Sequence, residues 1–293
     1  MFYRQRLLLA LLESFGGKLN NRDLQKYLFL FTQRCQIEKS YDFVPYKFGC
    51  FSFQSYADRR NLAEAGFLTA DDQWQLKGRG HLDAVTPDDK KKIQQFQMQY
   101  SIISSDDLVR EVYRNYPYYA IKSEIASRFM TTSEMEKIEA VKPNSNDVCF
   151  FTIGYEGASF EDYLNRLIRN GIRLLCDVRK NALSRKYGFS KKTLSETLRK
   201  LNIVYIHIPE LGIESDKRQE LSTQSDYDKL FKQYERTTLK SNATQLEKLN
   251  SLLLEYKRVA ITCFESNQCM CHRSIVAQAL TKLPNWNYPT HHI

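Results

Sequence analysis

Leu7, Leu8, Leu11, Leu12 and Phe15 recur at helical spacing and Gly16-Gly17 follows them, so the chain is predicted to open with a helix. Asn20 or Asn21 offers a cap for a second helix carrying Leu24, Tyr27, Leu28 and Phe31 on one face. A third helix is expected from near Ser52 to Gly66, with Tyr56, Leu62 and Ala63 inward and Gln54, Arg59, Arg60 and Asn61 outward. GFLTADDQWQLKGRG then alternates apolar and polar residues about Asp71-Asp72, as a short hairpin does. Residues 84–147 read as a helical connector, interrupted at Pro117 and ending in the Pro, Asn and Ser rich stretch AVKPNSNDV.

Beyond that linker the periodicity changes. VCFFTIGY, IRLLCDVR, IVYIHIP and RVAITCF are apolar runs of strand length, and helical patterns separate them: SFEDYLNRLIRNG, KKTLSETLRKL, a long section from Tyr227 to Tyr256, and HRSIVAQAL. Alternating strands and helices predict an α/β domain with a mainly parallel sheet covered on both faces. Three units are expected: 1–83, a winged-helix domain; 84–147, connector and linker; 148–293, the α/β domain.

Helix, helix, helix and hairpin is the order of a winged helix-turn-helix, whose last helix enters the major groove while the wing meets phosphate. YDFVPYKFGCFSFQSYADRRNLAEAGF resembles such modules in prokaryotic regulatory and mobile-element proteins, which implies DNA contact through Arg59, Arg60, Lys77 and Arg79. The same module also serves protein interaction, and both uses stay open.

Charge sharpens the choice of partner. The chain has 43 Lys and Arg against 34 Asp and Glu, a net +9, which favours polyanions, DNA first and a phosphorylated small molecule second. No apolar run has the length of a membrane span, and the first residues are too amphipathic for an export signal, so a cytoplasmic protein is expected, with a homodimer compatible. Its seven cysteines then stay reduced.

In a parallel sheet ligands bind beyond the carboxyl ends of the strands. That rule gathers Tyr155 and Glu156, Asp177 and Arg179, His207 and Glu210, Cys263 and Glu265, and finally Cys271, His272 and Arg273. Arg179 to Lys200 holds eight basic residues against Glu196 alone, a localised anion site in which Arg179 and Arg185 are phosphate candidates. Pairing of an arginine with Asp177 or Glu156 is the competing use.

Four ordered motifs, TIGYEG, DVRKNALSRKYGFSK, YIHIPELG and CFESNQCMCHRS, resemble the prokaryotic family catalogued as domain of unknown function 488, over roughly residues 148–293. The resemblance implies an α/β fold and a shared polar pocket, and it brings no established reaction or cofactor. The family pattern has a proline where this chain has Asn181 or Ala182, and Cys269 is an addition to it.

Three uses of the cysteine cluster remain. Cys263, Cys269, Cys271 and His272 are soft ligands, but adjacent Cys271 and His272 are expected to point apart at a helix start, so no metal is assigned. Cys271 beside Arg273 at a helix N-terminus is a candidate thiolate, with His207 or His272 as its base. In the third use Glu156 and Glu265 act as acid or base beside a phosphate held by Ser184, Arg179, Arg185 and Arg273, with Tyr155 and Tyr187 stacking on a base. These point to a hydrolase or transferase acting on a nucleotide or nucleic acid; a regulator or defence-system adaptor that senses a phosphorylated effector is the alternative.

Overall fold

The computed structural model describes residues 1–71, 73–214 and 223–293; Asp72 of the expected hairpin lies outside them. Two compact units divide at Lys142/Pro143. Among the described residues no helix is long and apolar enough to cross a membrane.

The first unit begins with α1 (Tyr3–Ser14), β1 (Lys18–Leu19) and α2 (Asn21–Cys35). Asn20 caps α2, its Oδ1 accepting from Asp23 N at 2.8 Å. A hairpin of β2 (Val44–Tyr46) and β3 (Gly49–Phe51) leads into α3 (Phe53–Glu64), which Ser52 caps by accepting from Ser55 N. β4 (Trp74–Gln75) pairs antiparallel with β1, and a bridge joins Leu68 to Leu76.

An unexpected polar hub ties α3 to α1. Asp58 is fully buried and accepts from Arg4 Nε at 2.6 Å, Gln5 Nε2 at 2.9 Å and Tyr41 Oη at 3.0 Å. A buried carboxylate needs that many donors to offset its lost hydration.

The segment expected as a connector folds into this unit. α4 (Pro87–Tyr100) sends Phe96 against Phe15 and Phe31, and α5 (Ser105–Asn115) buries Leu108, Val109 and Val112; α6 (Ala126–Phe129) and α7 (Thr132–Ala140) complete it.

The second unit is built on a five-stranded parallel sheet. Its strands are β5 (Cys149–Gly154), β6 (Leu174–Asp177), β7 (Val204–His207), β8 (Arg258–Cys263) and β9 (Thr290–His292), in the order β7-β6-β8-β5-β9. The helices are α8 (Phe160–Arg169), α9 (Lys191–Lys200), α10 (Gln224–Tyr234), α11 (Ala243–Tyr256) and α12 (His272–Thr281), with a π-helical stretch at Glu235–Leu239. β5 to β6 to β7 runs one way across the sheet and β7 to β8 to β9 the other. Right-handed crossovers therefore place α8 and α9 on one face and α10 to α12 on the opposite one.

Side-chain alternation agrees. Phe150, Cys176, Val259 and Ile261 pack with Phe231, Leu249 and Val276 of α10, α11 and α12, whereas Thr262, one residue on from Ile261, accepts from Tyr163 of α8 at 2.9 Å.

Burial leaves a testable mark. It pushes the Cys50 and Cys176 thiols up from 9.0 to about 12. The unfolded chain releases these protons first, so stability is complete below pH 9.0 and falls as pH rises towards about 12. Urea unfolding is expected to lose up to roughly 1.4 kcal/mol per pH unit for each thiol in that window, and Cys176→Ala to weaken the dependence.

Candidate functional site

Parallel register aligns the strand ends: Gly154 lies opposite Cys263, and Asp177 opposite both Thr262 and His207. The segments after these residues therefore meet at one edge of the sheet. Tyr155 N and Glu156 N both donate to the Phe264 carbonyl, at 3.0 and 2.9 Å. The pleat, however, divides their side chains into two clusters.

On the α8 face sits a buried ion pair. Arg179 Nε donates to Asp177 Oδ1 at 2.8 Å and Nη2 to Oδ2 at 2.5 Å, while Nη1 donates to Tyr155 Oη at 2.8 Å and to the Phe189 carbonyl at 2.9 Å. Tyr205 Oη donates to the same Asp177 at 2.7 Å, and burial with that carboxylate pushes the Tyr205 phenol far up. Tyr155 is itself buried and stacks on Phe189, centroids 4.2 Å apart. Neither Arg179 nor Tyr155 thus faces a ligand as expected: the competing use, pairing with Asp177, has taken the guanidinium.

The α12 face carries the sulfur. Cys263 Sγ lies 3.1 Å from Glu265 Oε2 and 3.5 Å from His272 Nδ1. His272 Nε2 lies 3.1 Å from the Val178 carbonyl, and the ring packs edge-on against Tyr234. Cys263 and Cys271 Sγ and a His272 ring nitrogen are all within 4.8 Å of one another. Cys271 stands in extended conformation, φ −129° and ψ 132°, just before the first helical residue His272. That break in the backbone turns two adjacent side chains to the same point, against the sequence expectation that they diverge.

Cys271 is not a free nucleophile. It is 1% exposed, and burial, followed by its neighbours Cys263 and Glu265, pushes the thiol well above its ordinary value, outweighing the downward pull of Arg273. His272 is equally buried. Arg273, 2% exposed, gives its guanidinium to the carbonyls of Glu265 and Ser266, so it braces the loop after β8 rather than holding phosphate. Gly154 makes room for that loop: a Cβ there would stand 1.9 Å from the Glu265 carbonyl oxygen.

The outer rim is more open. Glu156 is exposed and accepts from Ser266 N at 3.0 Å. Lys186 donates to the Tyr155 carbonyl at 2.9 Å, and burial lowers its pKa. Ser184 Oγ accepts from Lys186 N, and Lys180 and Arg185 are exposed. Cys269 is exposed too, apart from the buried triad. His207 Nε2 lies 2.8 Å from the Arg179 carbonyl, which makes it part of the frame.

In the first unit Arg60, Lys77 and Arg79 are exposed. Arg59 is not, contrary to expectation: it lies over Trp74 and donates to the Gln73 carbonyl at 3.1 Å.

A cavity of about 350 Å³ lined by Lys180, Glu210, Gln233, Tyr234, Thr237 and Asn242 was missed by sequence reasoning. Its signal was the polar run Thr237, Thr238, Ser241, Asn242 inside an apolar helical pattern. The π-helical turn that carries Thr237 and Thr238 widens the helix at this wall.

No curated protein and no solved structure matches the chain. A family model described as "Domain of unknown function DUF488" matches residues 159–280, so the resemblance covers three of the four motifs, TIGYEG lying before the matched region, and the C-terminal unit is similar to that family over β6, β7, β8 and their helices.

Proposed function

We propose that this is a cytoplasmic nucleic-acid-associated protein whose first unit is a winged helix that grips DNA. Its second unit binds a phosphate-bearing nucleotide or nucleic-acid end at the strand-end rim. One observation carries the reading: the Leu68–Leu76 bridge closes a hairpin in sequence directly after α3, β1 pairs with its returning strand β4, and exposed Arg60, Lys77 and Arg79 lie on these elements or beside them. In the second unit exposed Lys180 and Arg185 and half-buried Lys186 supply positive charge, with Glu156 and Glu265 as the acid or base.

Duplex binding measured by fluorescence anisotropy over a salt series tests it. Arg60→Ala, Lys77→Ala and Arg79→Ala together are expected to reduce the slope of log K against log salt by up to about 3, one unit per lost phosphate contact. Unchanged affinity and slope would refute the DNA reading.

A sensing rather than catalytic second unit is favoured by one finding, the burial of Cys271 and His272 away from solvent. Under that reading Glu156→Gln preserves regulatory output; under the catalytic one it abolishes turnover while ligand still binds.

A further inference from the structure

Two thiols and an imidazole meet in the interior of the second unit, behind the rim. We propose that Cys263, Cys271 and His272 bind a single zinc ion whose fourth position faces Glu265. In a tetrahedral site with Zn–S of ~2.3 Å and Zn–N of ~2.0 Å, sulfur and nitrogen ligands stand ~3.5 Å apart. Cys263 Sγ and His272 Nδ1 are separated by 3.5 Å, and Cys271 Sγ lies within 4.8 Å of its two neighbours.

Hydrogen-bond chemistry supports the same assignment. The Val178 carbonyl accepts from His272 Nε2, which fixes the tautomer with the proton on Nε2 and turns the Nδ1 lone pair towards Cys263. A ligating histidine is held by this kind of outer partner. Cys263 Sγ stands between that lone pair, at 3.5 Å, and Glu265 Oε2, at 3.1 Å.

Charge balance points to a divalent ion. Two thiolates and a neutral imidazole bring −2, which a divalent ion cancels among residues no more than 1% exposed, while the Glu265 carboxylate at the fourth position adds a further −1 and is itself only part-buried. Binding releases the two thiol protons to solvent. Arg273 holds the backbone carbonyls of Glu265 and Ser266 in the loop that carries the carboxylate. Regular elements place the three ligands: Cys271 immediately precedes α12, His272 is its first residue, and Cys263 ends β8 directly opposite Gly154. This assignment stands independently of DNA binding.

The test uses the full chain, purified under reducing conditions. Elemental analysis is expected to find one zinc per chain. Chelator-treated protein titrated with Co2+ should saturate at one equivalent, with thiolate-to-cobalt charge-transfer absorption. Cys271→Ser and His272→Ala should weaken Co2+ binding more than about a hundredfold, whereas Cys269→Ser, at the exposed cysteine, should bind as wild type. A folded, reduced wild-type protein that takes up neither zinc nor cobalt would overturn the proposal. So would a Cys263–Cys271 disulfide in protein isolated without reductant, or undiminished binding in Cys271→Ser.

Discussion

Gly154→Ala is expected to destabilise the C-terminal unit by about 3 kcal/mol or more, at the top of the range for overpacking. The new methyl would stand 1.9 Å from the Glu265 carbonyl oxygen and 2.9 Å from Arg273 Nη1. Neither can step aside. The carbonyl belongs to a backbone that Arg273 grips, and Phe264 next to it accepts from Tyr155 N and Glu156 N. The loop after β8 must therefore lift as a whole, carrying Glu265 from Cys263. Urea unfolding reads the loss, and amide hydrogen exchange should quicken first in residues 263–266. An unchanged midpoint would show that the loop adapts and that the close approach has no energetic weight.

The second large effect concerns the ion pair. Asp177→Ala leaves the Arg179 guanidinium, 6% exposed, without its counter-charge, and removes the acceptor of Tyr205. Breaking a buried pair in this way costs roughly 3–5 kcal/mol. Replacing both residues by apolar ones of similar size should recover much of that, because the expense lies in the unpaired charge rather than in the missing attraction. A double-mutant cycle measured by urea unfolding checks it: near-additive losses for Asp177→Leu and Arg179→Met would mean that the two groups are not coupled.

The second unit was legible in the sequence because its signals are local. Strand-length apolar runs, each followed by a helical pattern, determine a parallel sheet, and a parallel sheet brings Tyr155, Asp177 and Cys263 to one edge. What local pattern does not determine is the partner of a charged side chain. Arg179 reads equally as an anion contact or as the mate of Asp177 two residues away. The choice went to pairing because both side chains point to the same buried face of β6, where an unpaired charge is too costly. Arg59 was misassigned for a related reason. Helical periodicity alone does not reveal that Trp74 and the Gln73 carbonyl lie across from α3.

Adjacency misled in the opposite direction at Cys271 and His272. Neighbours diverge within a helix, but the extended Cys271 stands outside α12, so the helix boundary decides whether the two side chains share a target. The short strand β9 escaped notice because three residues, Thr290–His292, carry too little pattern. It forms by pairing with β5 at the sheet's edge.

X-ray absorption at the zinc edge of the full chain tests most directly whether Cys263, Cys271 and His272 on the α12 face form one buried metal centre. A first shell with two sulfurs at ~2.3 Å and nitrogen or oxygen at ~2.0 Å is the expected spectrum. A shell of oxygen and nitrogen alone, or protein that is folded, reduced and free of bound metal, would contradict it.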